Sequence, residues 1–111
     1  MKKRPEIYLQ HMLMAIERIE EYVGGYSKEF FKEDNKTIDA VIRQFEILGE
    51  AAGRVPEGLT KGSPIEWSKI TGMRHRLIHD YMGVNVDIVW ETATKGLKPL
   101  KKWLINSCSN Y

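Results

Sequence analysis

The sequence predicts an all-α protein, an up-and-down bundle of four to five helices that forms a single domain over residues 1–111. Apolar residues recur at steps of three and four along four long stretches, and no stretch alternates with period two for long enough to indicate a strand. The length of 111 residues suits one domain. The hydrophobic fraction of 42% and the charged fraction of 29% are typical of a globular chain and argue against disorder.

The first helix is expected at about residues 5–23, because a proline suits its first turn and two glycines follow its end. Its apolar stripe is formed by Leu9, Met12, Leu13, Ile16, Ile19 and Val23. A short helical turn is expected at residues 27–31, with Ser27 as its cap and Phe30 or Phe31 packing inward.

The second long helix is expected at about residues 37–54, where a proline and a glycine follow its end. One face of it carries Ile38, Val41, Ile42, Phe45, Leu48 and Ala52. The third is expected to begin at Ser63, because Ser63, Pro64 and Glu66 have the spacing of a capping box. Gly83 is expected to close it. Its core-facing residues are predicted to be Trp67, Ile70, Leu77 and Ile78.

The fourth long helix is expected to start near Asn85 or Asp87 and to run to about Ser107. Its stripe consists of Val86, Val89, Trp90, Ala93, Leu97, Leu100 and Leu104. Pro99 lies inside this stretch, and an interior proline costs about 3 kcal/mol because it removes a backbone hydrogen bond. A kink or a restart of the helix is therefore expected there.

The densest group of polar side chains lies at residues 74–81, which hold two of the three histidines. Its members are Arg74, His75, Arg76, His79, Asp80 and Tyr81. Core-facing helices seldom concentrate such groups, so this segment is predicted to carry the chemistry. In the alternative interpretation the arginines form surface salt bridges and His79 caps or packs locally.

Arg74, His79 and Tyr81 match the Arg-x4-His-x-Tyr signature of the HepT-like branch of the HEPN proteins. Residues 67–83 resemble that family's helix of the form W-x-x-I-x-G-M-R-x-x-L-I-H-x-Y, and residues 42–51 resemble its middle helix. The resemblance implies a HEPN-type bundle that forms a symmetric homodimer, with paired motifs lining one cleft. Residues five apart lie roughly 140° apart around a straight helix, so either the helix loosens near His79 or two chains build the site.

The resemblance also implies a metal-independent endoribonuclease, the toxin of a toxin–antitoxin pair, which cleaves RNA (tRNA or mRNA) by attack of the 2′-OH. His79 suits the base or acid, since its ordinary pKa of about 6.5 lies near working pH. Arg74 suits the phosphate, because its guanidinium donates two parallel hydrogen bonds. His75, Arg76 and Asp80 are expected to support them, and neither a metal nor a cofactor is implied.

HepT-like toxins are paired with an MntA-type nucleotidyltransferase antitoxin that transfers AMP from ATP to the tyrosine of the motif. Tyr81 matches that tyrosine, and AMP there would place bulk and negative charge where an RNA phosphate must lie. In the other interpretation its ring packs in the dimer interface. A function of another class also remains open, a non-catalytic HEPN binding module that partners a nucleotidyltransferase or binds nucleotide.

Two further polar faces allow two interpretations each. Arg43, Glu46 and Glu50 share a face of the second long helix, where they line the cleft and orient His79 or Arg74, or form a salt-bridged surface. The fourth helix carries Lys95, Lys98 and Lys102 on one face, which either steers RNA phosphates or only keeps the protein soluble.

Composition excludes several classes of protein. The net charge of +2 permits nucleic-acid binding without requiring it. The single cysteine, Cys108, excludes an internal disulfide, and no Cys/His cluster has zinc spacing. No apolar run is long enough for a signal peptide or a membrane span, so a cytoplasmic protein is expected.

Overall fold

A computed structural model of the chain describes residues 4–61, 63–72 and 85–108. Every regular element within these ranges is helical, which confirms the predicted all-α class. The elements are α1 (Pro5–Val23), α2 (Lys28–Glu33), α3 (Asn35–Arg54), α4 (Glu57–Thr60), α5 (residues 67–72 of the described chain), α6 (Val86–Glu91), a π-helical turn (Thr92–Gly96) and α7 (Lys98–Cys108).

Helices α1 and α3 form the centre of the bundle and pack against each other more extensively than any other pair of described helices. Their predicted stripes are confirmed: Ile16 and Val41 are fully buried, and Phe45 is 2% exposed. Each such side chain contributes roughly 1.5–3 kcal/mol when it leaves water. The apolar stripe along α1 therefore provides the surface on which α3 and α7 assemble.

The connection between α1 and α3 contains the short helix α2, with caps at both of its ends. Ser27 Oγ accepts a hydrogen bond from the Phe30 backbone N–H at 3.2 Å, as predicted. Of the two phenylalanines, Phe31 is fully buried and Phe30 is 69% exposed. Asp34 then caps α3, which begins at Asn35 rather than at Thr37, because the Asp34 carboxylate accepts from the Thr37 N–H at 3.1 Å.

The capping box predicted at Ser63 is wrong, because α5 begins at Trp67. Ser63 Oγ accepts from the Ile65 N–H at 3.1 Å and so closes a local turn, a common alternative use of serine before a helix. The Glu66 carboxylate pairs instead with Lys69 Nζ at 3.2 Å. Trp67 and Ile70 pack against the core as predicted, whereas Leu77, Ile78 and Gly83 lie outside the described residues.

The last part of the chain is a helix interrupted by a π turn. Asn85 Oδ1 accepts from the Ile88 N–H at 3.2 Å and caps α6. The Leu97 N–H donates to the Thr92 carbonyl at 3.1 Å, five residues back, and α7 then restarts at Lys98. In an unbroken α-helix the Pro99 ring would collide with the carbonyl four residues back, and the π turn ends at Gly96, just before this proline. The predicted restart is confirmed. Among the described helices, none combines the length and apolar character needed to cross a membrane.

Candidate active site and its surroundings

The predicted catalytic segment lies between two helices that are both held to the core. Its residues fall within 73–84, outside the described part of the chain, so their roles stay predictions. These residues are Arg74, His75, Arg76, His79, Asp80 and Tyr81. The structure describes how the chain enters this segment, through α5, and how it leaves, through α6.

Helix α5, which precedes residue 73, is held to the core by a tryptophan pair. The Trp67 ring meets the Trp103 ring of α7 edge to face, with centroids 5.4 Å apart and planes at 79°. Such a pair contributes about 0.5–1.5 kcal/mol beyond its buried area. Ile70, one turn later, also packs on the core. Residue 73 is therefore approached from a helix that is fixed to α7.

Helix α6, which follows residue 84, is held by an aromatic contact and by ion pairs. The Trp90 ring of α6 lies 5.2 Å from the Phe31 ring of α2. The Asp87 carboxylate lies 3.2 Å from Lys32 Nζ and 3.3 Å from Lys28 Nζ. Hydrogen bonds from these lysines lower the pKa of Asp87, Lys32 having the larger effect. The helices that flank residues 73–84 thus contact two different helices, α7 and α2.

The predicted supporting residues of α3 form ion pairs within their own helix. Arg43 Nη1 lies 3.2 Å from Glu46 Oε2, and Arg54 Nη2 lies 3.7 Å from Glu50 Oε1. Pairs of this kind contribute about 0.3–0.5 kcal/mol each. These contacts agree with a salt-bridged surface, and a role in orienting His79 or Arg74 stays a prediction.

Sequence reasoning did not bring His11 and Glu50 together, yet both line one groove between α1 and α3. The groove has a volume of about 270 Å³. It is lined by Tyr8, His11, Ile47, Glu50, Ala51 and Arg54. His11 is exposed, and its ring meets the Tyr8 ring edge to face at 6.3 Å. Only the packing of α1 on α3 creates this proximity, so no local sequence pattern indicates it.

Two further observations concern metal binding and the single cysteine. Within the described ranges, no cluster of three or more His, Cys, Asp or Glu side chains is placed to hold a metal ion. Cys108 is half-buried at the end of α7, and burial raises the pKa of its thiol. The neutral thiol is therefore the form present near neutral pH, and it is a poor nucleophile.

The family model for ribonuclease HepT-like proteins matches residues 12–106. The chain belongs to the HepT-like ribonuclease family. The match runs from the first half of α1 almost to the end of α7, so it includes the segment of residues 73–84 and both of its aromatic anchors. This HepT-like chain is thus an RNase of the HEPN type, as the motif resemblance predicted.

Individual relatives agree with this assignment. The chain is 44% identical over 101 residues to a protein of Caldanaerobacter subterraneus subsp. tengcongensis named "Putative RNase", with 90% of each chain covered. It is 40% identical over 102 residues to the "Probable ribonuclease HepT" of Thermococcus cleftensis, covering 91% of this chain and 93% of the relative. No solved structure matches the chain.

Proposed function

We propose that this HepT-like chain is a metal-independent endoribonuclease toxin whose catalytic residues are Arg74 and His79. The observation that supports this most is the family match, which spans the whole Arg-x4-His-x-Tyr motif within residues 12–106. The protein acts on RNA in the cytoplasm, with tRNA or mRNA as the substrate class.

The chemistry is a transesterification at phosphorus. The ribose 2′-oxygen attacks the adjacent phosphorus, the bond from phosphorus to the 5′-oxygen breaks, and a 2′,3′-cyclic phosphate and a 5′-hydroxyl result. His79 takes the 2′-OH proton or gives a proton to the leaving 5′-oxygen. Arg74 binds the phosphate and stabilises the charge that develops on its oxygens.

A symmetric homodimer supplies the complete site. In a regular helix, two residues with the spacing of Arg74 and His79 would lie about 140° apart around the axis, which favours a cleft to which two chains contribute. Arg43, Glu46 and Glu50 line the same cleft, and His75, Arg76 and Asp80 support the two catalytic side chains.

The proposed control point is Tyr81. A small MntA-like nucleotidyltransferase antitoxin joins the Tyr81 hydroxyl oxygen to the α-phosphorus of ATP, and pyrophosphate leaves. The attached AMP occupies the position of the RNA phosphate and repels it, because both groups are anionic. Modification therefore silences the ribonuclease.

The test is an inducible growth assay with total RNA examined on gels. Wild type is compared with His79→Ala, each with and without the cognate nucleotidyltransferase. The control is Glu29→Ala, which removes an exposed side chain from the surface of α2, outside the proposed cleft. We expect wild type and the control to arrest growth and degrade RNA, the partner to rescue both, and His79→Ala to be harmless.

Harmless wild-type protein would contradict the proposal, provided that purified unmodified protein also leaves RNA intact. In that case the chain would be a non-catalytic HEPN module that binds a nucleotidyltransferase or a nucleotide. Equal toxicity of wild type and His79→Ala would contradict the catalytic role of His79.

A further inference from the structure

Positive charge is concentrated at the end of this chain. The sequence has 17 basic and 15 acidic residues, and Glu91 is the last acidic one. Residues 92–111 contain four lysines and no acid, so the first 91 residues contain 13 basic and 15 acidic residues. The small overall charge of +2 therefore combines a net charge of −2 before residue 92 with one of +4 after it.

The fold gathers three of these lysines around one surface cavity. The cavity has a volume of about 360 Å³ and lies between α7 and α1. It is lined by Glu20, Lys98, Lys101, Lys102, Ile105 and Asn106. We name Lys98, Lys101 and Lys102 the α7 lysine patch.

The patch differs from the set that the sequence predicted. Lys95 belongs to the π turn, where its Nζ lies 3.8 Å from Glu91 Oε2, and it does not line the cavity. Lys101, which the helical spacing left out, takes its place.

The three lysines have different roles. Lys101 Nζ donates to Glu20 Oε1 at 2.7 Å, and this hydrogen bond raises the pKa of Lys101 and fixes its position. Lys98 and Lys102 are exposed, and no carboxylate of the described residues pairs with either. Their charges therefore stay available to an outside anion.

An exposed apolar side chain argues against a purely solubilising role. Ile105 lies in the same cavity and is 48% exposed, and an apolar side chain there works against solubility. A cavity that combines available positive charges with an exposed apolar side chain suits a ligand that has an anionic backbone and apolar faces.

We propose that the α7 lysine patch binds the phosphate backbone of single-stranded RNA and thereby holds the substrate on the enzyme. This inference rests on the proposed ribonuclease function. Lys98 and Lys102 contact successive phosphates, and Ile105 packs against a ribose or a base between them. Binding of this kind releases counterions and depends strongly on salt.

The test is filter binding of a labelled 20-nucleotide single-stranded RNA to His79→Ala protein, which retains the patch, at several KCl concentrations. The variant is Lys98→Gln with Lys102→Gln. The matched control is Lys36→Gln with Lys61→Gln, which removes two exposed lysines outside the patch. A plot of log affinity against log salt has a negative slope. We expect the patch variant to make this slope shallower by about 1.4, the value for two lost phosphate contacts. The control pair keeps the slope, and an equal loss in both pairs would overturn the inference.

Cleavage assays on otherwise wild-type protein separate this inference from the proposed function. If wild type cleaves RNA and the patch variant binds and cleaves it equally well, the inference fails and the ribonuclease stands. If no variant cleaves RNA but the salt slope still depends on the patch, the ribonuclease fails and the RNA-binding surface stands. Circular dichroism checks that both double variants keep their helices.

Discussion

The Tyr26 hydroxyl donates a hydrogen bond to Oδ2 of Asp34, the residue that caps α3. The same carboxylate accepts from the Thr37 hydroxyl at 2.7 Å and from the Thr37 backbone N–H at 3.1 Å. Together these bonds lower the pKa of Asp34 to about 2, with the Tyr26 hydroxyl as the largest cause. One ionised side chain therefore ties the loop after α1 to the start of α3.

Removing the Tyr26 hydroxyl is expected to raise the pKa of Asp34 from about 2 toward its ordinary value of 3.8, because the strongest donor to the carboxylate is lost. The measurement is an NMR titration of the Asp34 carboxyl carbon in Tyr26→Phe. The matched control is Tyr8→Phe, which removes a hydroxyl from a tyrosine that contacts His11 on α1. An unchanged Asp34 titration in Tyr26→Phe would show that Thr37 alone sets this pKa.

The ionisation of Asp34 also makes the free energy of unfolding depend on pH. Its pKa in the folded protein is lower than 3.8, so the unfolded chain binds the proton more readily. The stabilisation is therefore fully present above about pH 5 and is lost as the pH falls through 3.8 toward 2. We expect Asp34→Asn to be less stable than wild type at pH 6 and the difference to shrink at pH 2. Urea unfolding at pH 6 and pH 2 measures this difference in the free energy of unfolding. A difference that is the same at both pH values would contradict the role of ionisation.

Leu104 is expected to be essential for the attachment of α7. It is fully buried, whereas its neighbour Ile105 is 48% exposed. Leu104→Ala should lower the free energy of unfolding by about 2–5 kcal/mol, the range for a buried leucine. Ile105→Ala, the matched control, should change it by less than about 0.5 kcal/mol. Urea unfolding compares the two variants. Similar losses in the free energy of unfolding would mean that α7 does not pack as described.

Tyr81→Phe separates catalysis from control under the proposed function. Phenylalanine keeps the ring but has no hydroxyl for AMP transfer, so we expect an active ribonuclease that the nucleotidyltransferase cannot silence. Mass spectrometry after incubation with ATP and the partner should show no added AMP. Tyr26→Phe is the control, because it removes a hydroxyl elsewhere and should still accept AMP. Loss of RNA cleavage in Tyr81→Phe would instead assign the Tyr81 hydroxyl to the reaction.

Local signals predicted the parts of the fold that local interactions determine. The bounds of α1 follow from its proline and the glycines after it, and Ser27 caps α2 as expected. The start of α5 was wrong because Ser63 satisfies a nearer backbone group than a capping box requires. The π turn was missed because Pro99 predicts a disruption but does not specify its geometry.

For the candidate site, the sequence predicted the motif at residues 74–81, and the family match covers that range. It did not indicate the surroundings, since the contacts of Trp67 with Trp103 and of Phe31 with Trp90 join different helices. The α7 lysine patch illustrates the same limit. Helical spacing predicted that Lys95 shares a face with Lys98 and Lys102. In the structure Lys95 belongs to the π turn, and Lys101, which is hydrogen-bonded to Glu20, lines the cavity instead.

All three tryptophans of the chain belong to the aromatic contacts on either side of residues 73–84. The protein therefore carries its own optical reporter for this segment. Ligands that shift α5 or α6 are expected to change the intrinsic tryptophan fluorescence. The proposed RNA binding, partner docking and AMP transfer can each be tested in the unlabelled protein, without introducing a dye near the predicted catalytic residues.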